Sequence, residues 1–293
     1  MSDYAPALKL AEDLGIEVFA TNECSLGEGF GIQASWVDFR SQFWLQTTRR
    51  FSALRHFHET FGGAIVHVES DVILFPGFDP SLIVGSATQI RFPLYGANLG
   101  VASVLALPDA AATAGLEQFA YQKGTTLGPN ANDMTILGDL FKEHPERVRP
   151  LPSYEEVTGV RLPMDAAELA SIFDGASIGM YLGGDDPRNN RGIRKFLNEE
   201  TSTSLGDPSI SAMSFAIDSD QLFCTHPSLG TWLPVMNLHI HSKDLRLFSA
   251  PSRTKLLERR IRRAERPGWS IDPWAFGVVV RDGVQRRVFS RGA

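Results

Sequence analysis

The sequence predicts an α/β fold, and two observations support this prediction. Of the 293 residues, 43% are hydrophobic and 21% are charged, which is typical of a globular chain with a large buried core. Gly and Pro recur at short intervals, and the segments between them alternate between strand-like and helix-like patterns. No internal repeat is visible, so a chain of this length is expected to form one large domain or two smaller ones.

The first half of the chain predicts strands and helices in alternation. Helices are indicated where apolar residues recur three or four positions apart, and strands where short apolar runs lie between turn residues. The predicted elements are a strand over 16–20, a helix over 48–60, a strand over 64–68, a buried strand over 99–107, and helices that begin near Pro108 and Met134.

The second half begins with a long polar segment, residues 183–210, which is rich in Gly, Asp, Asn, Ser and Thr. Such a segment is typical of a functional loop that closes over a ligand, although a solvated linker has the same composition. Further strands, a basic helix and a hairpin around Asp282-Gly283 are predicted after it. The strands predicted in this half cover 211–217, 222–225 and 232–240. We therefore divide the chain into a domain over 1–250 and an extension over 251–293.

Charge and cysteine content exclude several classes of protein. The net charge of the chain is −6, but residues 253–291 carry +7, which leaves −13 on the remaining residues. An acidic surface of this kind has no affinity for nucleic acid. Cys24 and Cys224 are too few for a disulfide scaffold. The N-terminus has no signal-peptide pattern and the longest apolar run is too short to span a bilayer. These features predict a cytoplasmic location.

The segment His67-Val68-Glu69-Ser70-Asp71 directly follows the apolar residues 64–66. Strand alternation would put His67, Glu69 and Asp71 on one side. Carboxylates within an apolar run must face a cation, a cavity or hydrogen-bond donors, because burying them unpaired costs several kcal/mol. A metal site is therefore predicted here; the alternative is an edge strand with solvated polar side chains.

Residues upstream of this segment add to the pattern, and together they resemble a known family. They are Phe43-Trp44, Thr47-Thr48 and Arg50-Phe51. Together with Glu69-Ser70-Asp71 they resemble the first half of bacterial glycosyltransferases of the GT-A fold, in which a D-x-D-like strand end binds a divalent metal. The resemblance implies a Rossmann-like mixed, mostly parallel sheet flanked by helices. It also implies that Asp71 binds the metal, that Glu69 contacts the ribose or the metal shell, and that Thr47 and Arg50 contribute to donor binding.

A second candidate metal element is the segment Asn237-Leu238-His239-Ile240-His241-Ser242-Lys243. His239 and His241 would share a strand face, and Lys243 follows within reach. Many GT-A enzymes complete the metal site with a C-terminal His, and some follow it with a Lys that binds the diphosphate. The resemblance implies these roles for His241 or His239 and for Lys243, with His241 preferred because it is nearer the lysine. A histidine pair hydrogen-bonded within a sheet is the alternative.

This ligand set predicts a chemical role. A nucleoside diphosphate that leaves a sugar gains negative charge, which a divalent cation and a lysine stabilise. Mixed carboxylate and imidazole ligands suit manganese as well as magnesium.

Three further regions are assigned by the resemblance or by composition. Asp133, at a predicted helix start, corresponds to the acceptor-side carboxylate, although a helix cap explains it equally. Asp174, Asp185 and Asp186 lie around the long polar segment and are candidates for binding acceptor hydroxyls.

The extension carries a basic amphipathic helix, whose apolar stripe is Leu257, Ile261 and Ala264. Such helices are typical of peripheral membrane contact. The alternative is that its arginines pair with the acidic body of the protein.

The resemblance thus implies a metal-dependent glycosyltransferase that moves a sugar from a nucleotide-sugar donor to a saccharide or glycoconjugate acceptor in polysaccharide biosynthesis. One alternative is a noncatalytic sugar- or nucleotide-binding module. Another is a non-haem iron oxygenase, because His67, Glu69 and a distant His mimic a triad of two histidines and one carboxylate. The oxygenase is disfavoured by the long separation of its ligands and by the lack of a jelly-roll pattern of strands.

Overall fold

The computed structural model describes most of the chain between residues 43 and 264. The described ranges are 43–84, 88–95, 99–127, 131–153, 170–183, 213–225, 230–240, 253–264, 270–271, 278–281 and 284–287, with residues 9, 13 and 15. The predicted strand over 16–20 and all but the first residue of the polar segment 183–210 lie outside these ranges. So do His241, Lys243, Asp185 and Asp186.

Six α-helices are described, and they include every helix that we predicted. They are α1 (Phe43–Phe61), α2 (Pro80–Val84), α3 (Ala110–Thr126), α4 (Asp133–Glu143), α5 (Ser177–Gly183) and α6 (Arg253–Ala264). Two of these helices are capped at their N-terminus by the side chain of the preceding residue. Asp109 accepts the Ala112 N–H at 2.7 Å at the start of α3, and Asn132 forms a capping box with Thr135 at the start of α4.

Twelve strands are described. They are β1 (Ile65–Val68), β2 (Val72–Leu74), β3 (Leu94–Tyr95), β4 (Leu99–Gly100), β5 (Val104–Leu107), β6 (Ile172–Phe173), β7 (Phe215–Asp218), β8 (Gln221–Thr225), β9 (Trp232–His239), β10 (Ser270–Ile271), β11 (Val278–Arg281) and β12 (Val284–Arg287). The predicted strands over 64–68, 211–217, 222–225 and 232–240 and the predicted hairpin are confirmed, with boundaries shifted by a few residues.

One predicted strand is divided in two. Residues 99–107 were expected to form one buried strand, but a turn over 101–103 separates β4 from β5. The turn residues Val101 and Ala102 are as buried as the strand residues. This mostly apolar run therefore indicates burial, and it does not distinguish a strand from a buried turn.

The strand pairings are mainly antiparallel. β1 pairs with β5, and a second sheet has the order β2-β9-β8-β7 with antiparallel neighbours throughout. Among the strands that the structure describes, only β6 pairs in parallel with another strand, which is β9. The described pairings therefore do not confirm a mostly parallel GT-A sheet, which stays a prediction.

Two large apolar clusters lie on either side of the β1–β2 connection. One packs α1, α3 and α4 against β5 around Phe51, Leu105 and Leu137. The other surrounds β9 and includes Val235 and Leu238. Because β1 belongs to the first region and β2 pairs with β9 in the second, the short connection between them lies where the two regions meet.

Helix α6 packs on the second cluster rather than projecting from it. Leu256, Leu257 and Ile261 are buried in that cluster, against β7 and α5. Leu257 and Ile261, two of the three residues of its apolar stripe, are therefore covered by the protein itself. None of the helices within the described ranges is long and apolar enough to cross a membrane.

Cys224 provides a test of this packing. Burial in β8, with the nearby Asp174 carboxylate as a smaller cause, raises the pKa of its thiol to about 12. Because only the thiolate reacts, we expect a Cys24→Ser variant to resist a disulfide reagent at pH 8 and to react rapidly in denaturant. Rapid labelling of this variant without denaturant would contradict the burial of β8.

Candidate metal centre

The residues Glu69-Ser70-Asp71 form a turn, which we call the acidic turn, between β1 and β2. The Glu69 N–H donates to the Ser103 carbonyl at 3.2 Å, and the Val72 N–H donates to the Glu69 carbonyl at 3.2 Å. Strand alternation therefore does not extend from His67 through Glu69 and Asp71, because β1 ends at Val68 and both carboxylates lie in the turn. The two carboxylates nevertheless converge, because the turn folds them toward the end of β9.

His239 completes the group from the distant strand β9. The antiparallel register pairs Val72 with His239, which places the imidazole beside the acidic turn. Its Nε2 lies 3.4 Å from Glu69 Oε2 and 3.5 Å from Asp71 Oδ1. One ligand atom from each residue lies within 4.8 Å of the others, so the three could bind one metal ion. His241, which the sequence favoured, lies outside the described residues.

Backbone contacts fix the orientation of the His239 ring. Its Nδ1 lies 2.5 Å from the Gly175 carbonyl oxygen and donates a hydrogen bond to it. Nε2 is then the atom directed at the acidic turn, and in the neutral ring it carries the lone pair that a metal would bind. A carbonyl behind Nδ1 is the usual support for a metal-binding histidine.

Asp174 organises the backbone behind this ring. It is fully buried, and its carboxylate accepts N–H groups from Ile178 at 3.0 Å, Gly179 at 2.8 Å and His239 at 2.9 Å. Asn237 exchanges two hydrogen bonds with the Asp174 backbone. The carboxylate thus joins the start of α5 to the end of β9, and no part of it is exposed to bind an acceptor.

Arg50 lies on the other side of the acidic turn. Its guanidinium forms an ion pair with Glu69, lies 3.2 Å from Asp133 Oδ2, and donates through Nε to the Thr47 carbonyl at 2.7 Å. His67 Nε2 lies 3.5 Å from the same guanidinium. Thr47 and Arg50, predicted as donor-binding residues, are therefore within the site or directly behind it.

Asp133 is the first residue of α4, but Asn132 caps the helix. The alternative explanation of Asp133 as the helix cap is therefore not needed. Its side chain is 6% exposed, and burial raises the pKa of this carboxyl although Arg50 acts in the opposite direction. Asp133 thus contacts Arg50, which in turn contacts the metal-ligand candidate Glu69. An acceptor-side role for Asp133 stays a prediction.

The two histidines near the site have opposite pKa shifts. Burial and the Arg50 charge lower the pKa of His67 to about 4, so it is neutral at pH 7. Burial also disfavours the charged form of His239, but the Asp71 hydrogen bond and the Glu69 and Asp71 charges outweigh it and raise the pKa to about 9. Without a metal, His239 is therefore a buried cation between two carboxylates.

The donor set fits a divalent metal. Two carboxylate oxygens and one imidazole nitrogen are ligands that Mn²⁺ and Mg²⁺ accept, and three protein ligands leave positions for water or a phosphate oxygen. A metal at this position would replace the proton on His239 Nε2, and the ring would keep its orientation because Gly175 still accepts from Nδ1.

Sequence reasoning missed the supporting part of the site. Asn237 was a usable signal, because an amide inside the apolar strand β9 must find partners when it is buried. Gly179 gave no such signal, although it lies directly against the His239 carbonyl. The acidic turn and His239 were found because their ligand chemistry is visible in the residue types.

None of the protein-family models, curated proteins and solved structures that we compared with the chain matches it. The chemistry of the site is therefore the basis for its proposed function.

Proposed function

We propose that this protein is a metal-dependent glycosyltransferase that transfers a sugar from a nucleotide-sugar donor to a saccharide or glycoconjugate acceptor. The supporting observation is the convergence of Glu69, Asp71 and His239 from distant parts of the chain on one metal-sized position. We further propose that it acts in the cytoplasm, in polysaccharide biosynthesis.

The proposed chemistry is stabilisation of the leaving group. A divalent metal, when bound, would offset the charge that develops on the departing nucleoside diphosphate. Two unit charges about 4 Å apart interact by about 4 kcal/mol at an effective dielectric constant near 20, a useful part of a catalytic effect. In this proposal Lys243 binds the diphosphate, and Asp185 and Asp186 bind acceptor hydroxyls.

A noncatalytic sugar- or nucleotide-binding module is the second candidate, since the same metal group could hold a nucleotide without turnover. The oxygenase is supported less well. The metal-sized group within the described ranges contains one histidine and two carboxylates, whereas His67 contacts Arg50. That group lacks the second histidine of the oxygenase triad.

Peripheral membrane contact through α6 would be mainly electrostatic, because Leu257 and Ile261 of its apolar stripe are buried. Among its described side chains, Lys255, Arg259 and Arg262 are the exposed cations. At about 1 kcal/mol per cation near an anionic surface they supply about 3 kcal/mol. A dissociation constant of 1 mM needs about 4 kcal/mol, so stable membrane contact would need other residues as well. Arg253 instead forms an ion pair with Asp220.

A screen of nucleotide sugars with Mn²⁺ tests the proposed function. A ligand at 100 times its dissociation constant should stabilise the protein by about 2.7 kcal/mol, which is measured as a thermal shift. The stabilising nucleotide sugar should then be consumed when acceptor saccharides are added, and EDTA should stop the reaction. Binding without turnover would favour the binding module, and full turnover in EDTA would exclude a metal role.

The pH dependence of metal binding follows from the His239 environment. Glu69, Asp71 and Asp174 face the ring, with Arg50 behind Glu69. Because the metal needs the neutral ring, its apparent affinity should rise about tenfold per pH unit and level off near pH 9, a gain of about 100-fold from pH 7. At pH 7, binding should release about one proton, measured by calorimetry in buffers of different ionisation enthalpy.

The stability of the metal-free protein should fall as the pH rises, whereas metal affinity increases. The folded-state pKa of His239 lies above its ordinary value of 6.5. The stabilisation from this cation is therefore fully present below about pH 6.5 and is lost as the pH rises through about 9. A His239→Gln variant serves as the control, since it should lose both the proton release and this pH dependence.

A further inference from the structure

Arg50 lies between two carboxylates that differ in their relation to the metal position. Glu69 belongs to the metal-sized group, whereas Asp133 does not. The guanidinium contacts both carboxylates through different nitrogens, NH1 for Glu69 and NH2 for Asp133. With Nε bound to the Thr47 carbonyl, three partners from α1, α4 and the acidic turn fix the plane of the guanidinium.

The two oxygens of Glu69 are thereby divided between two tasks. Oε1 accepts from Arg50, and Oε2 lies 3.4 Å from His239 Nε2, on the side of the metal position. The Glu69 side chain is 16% exposed, so solvent has limited access to reorient it. A carboxylate with one oxygen engaged in this way offers the metal only the other one.

We propose that Arg50, supported by Asp133, is a positioning residue that makes Glu69 a monodentate metal ligand through Oε2. This inference rests on the metal site of the proposed function. It assigns Arg50 and Asp133 a role in metal affinity although neither contacts the metal.

The charges explain why Asp133 belongs to this arrangement. An arginine close to a divalent cation repels it, and by itself would weaken metal binding. Asp133 offsets that charge at the terminal nitrogen that does not contact Glu69, and its side chain is only 6% exposed, so the compensation is poorly screened by solvent. The pair thus orients Glu69 while adding little net charge. Supporting residues of this kind typically change metal affinity 10- to 100-fold.

The experiment measures the Mn²⁺ dissociation constant from the electron paramagnetic resonance signal of free Mn²⁺. We expect Arg50→Lys to raise it about 10- to 100-fold, because lysine keeps the charge but cannot contact both carboxylates in the same plane. Asp133→Asn, which alters the support and leaves Arg50 and Glu69 in place, should raise it in the same direction. Circular dichroism and the melting temperature establish that each variant is folded.

The matched control is Arg55→Lys. Arg55 lies on the same helix and also contacts two carboxylates, Glu59 at 2.8 Å and Glu117 at 2.7 Å, neither of which is in the metal-sized group. Its replacement should leave the Mn²⁺ dissociation constant unchanged. An equal loss of affinity in Arg55→Lys would show that loosening α1 is enough, and would overturn the positioning role.

A double-mutant cycle separates positioning from a general structural effect. If Arg50 acts through Glu69, then Arg50→Lys should have no further effect on Mn²⁺ affinity in a Glu69→Gln background, whereas a structural effect would add to it. Additive effects overturn the inference. So does unchanged affinity in Arg50→Lys or in Asp133→Asn while the parent protein binds Mn²⁺. A parent protein that binds no Mn²⁺ contradicts the metal site itself, and the inference with it.

Discussion

The Asp71→Ala variant is expected to lose metal binding and all metal-dependent turnover while keeping its fold. Asp71 supplies one of the three ligand atoms, and its side chain is 22% exposed. When it is removed, the buried His239 imidazole keeps its contact with Glu69, 3.4 Å away. Loss of a direct ligand should cost more than the 10- to 100-fold that a supporting residue costs. We therefore expect the Mn²⁺ dissociation constant to rise by more than about 100-fold.

The control for this variant is Asp218→Ala. Asp218 is an exposed aspartate beside another tight turn, between β7 and β8, and its carboxylate accepts from the Ser219 hydroxyl. It should keep Mn²⁺ affinity and turnover. Unchanged Mn²⁺ affinity in Asp71→Ala would show that the acidic turn is not a metal site, whereas a loss of secondary structure would show that Asp71 is needed for folding.

The second large effect is expected at Asp174, which contacts no metal. Asp174→Ala leaves three buried N–H groups without their acceptor, those of Ile178, Gly179 and His239. Each unsatisfied group costs about 1–3 kcal/mol, so the free energy of unfolding should fall by at least about 3 kcal/mol. Mn²⁺ binding should weaken as well, because the end of β9 loses its anchor. Urea denaturation and Mn²⁺ titration measure the two effects.

Asp174→Asn should lie between the parent protein and Asp174→Ala, because the amide keeps one acceptor oxygen but turns N–H groups toward other donors. The control is Asp79→Ala. Asp79 also accepts a backbone N–H, from Ser81, but it is exposed, so water replaces the lost acceptor and the effect should be small. Equal losses in Asp174→Ala and Asp79→Ala would contradict the anchoring role of Asp174.

Gly179→Ala tests the same contact by adding an atom instead of removing one. A Cβ at this position would overlap the His239 carbonyl oxygen and lie 2.9 Å from Asp174 Oδ2. The backbone at the end of β9 would have to move, so we expect weaker Mn²⁺ binding together with lower stability. Wild-type Mn²⁺ affinity in this variant would mean that the position of His239 tolerates such a shift.

Much of the local structure could be predicted from the sequence. Phe51, Leu54 and Phe57 indicated α1 because residues three apart share one face of a helix. Asp109 and Asn132 mark helix starts because their side chains satisfy N–H groups that have no partner within the helix. The acidic turn was recognisable because carboxylates between apolar segments need a cation or donors.

Other features could not be predicted, because they depend on which distant segments pair. The apolar run over 99–107 does not reveal the turn that divides it. The spacing of His239 and His241 does not show which of them faces the acidic turn, since that depends on the register between β2 and β9. The stripe of α6 is equally suited to a membrane and to a protein core, and only its packing against β7 shows where it lies.

The sequence alone determined the ligand chemistry and most of the local elements, because residue type and short-range spacing control both. Only the tertiary structure decided how the site is assembled. Asp174 appeared in the sequence as a polar residue near a loop, yet it is the buried anchor of β9. Arg50 lies between Glu69 and Asp133 because α1, α4 and the acidic turn pack together. Such long-range arrangements arise from register and core packing, which no local pattern encodes.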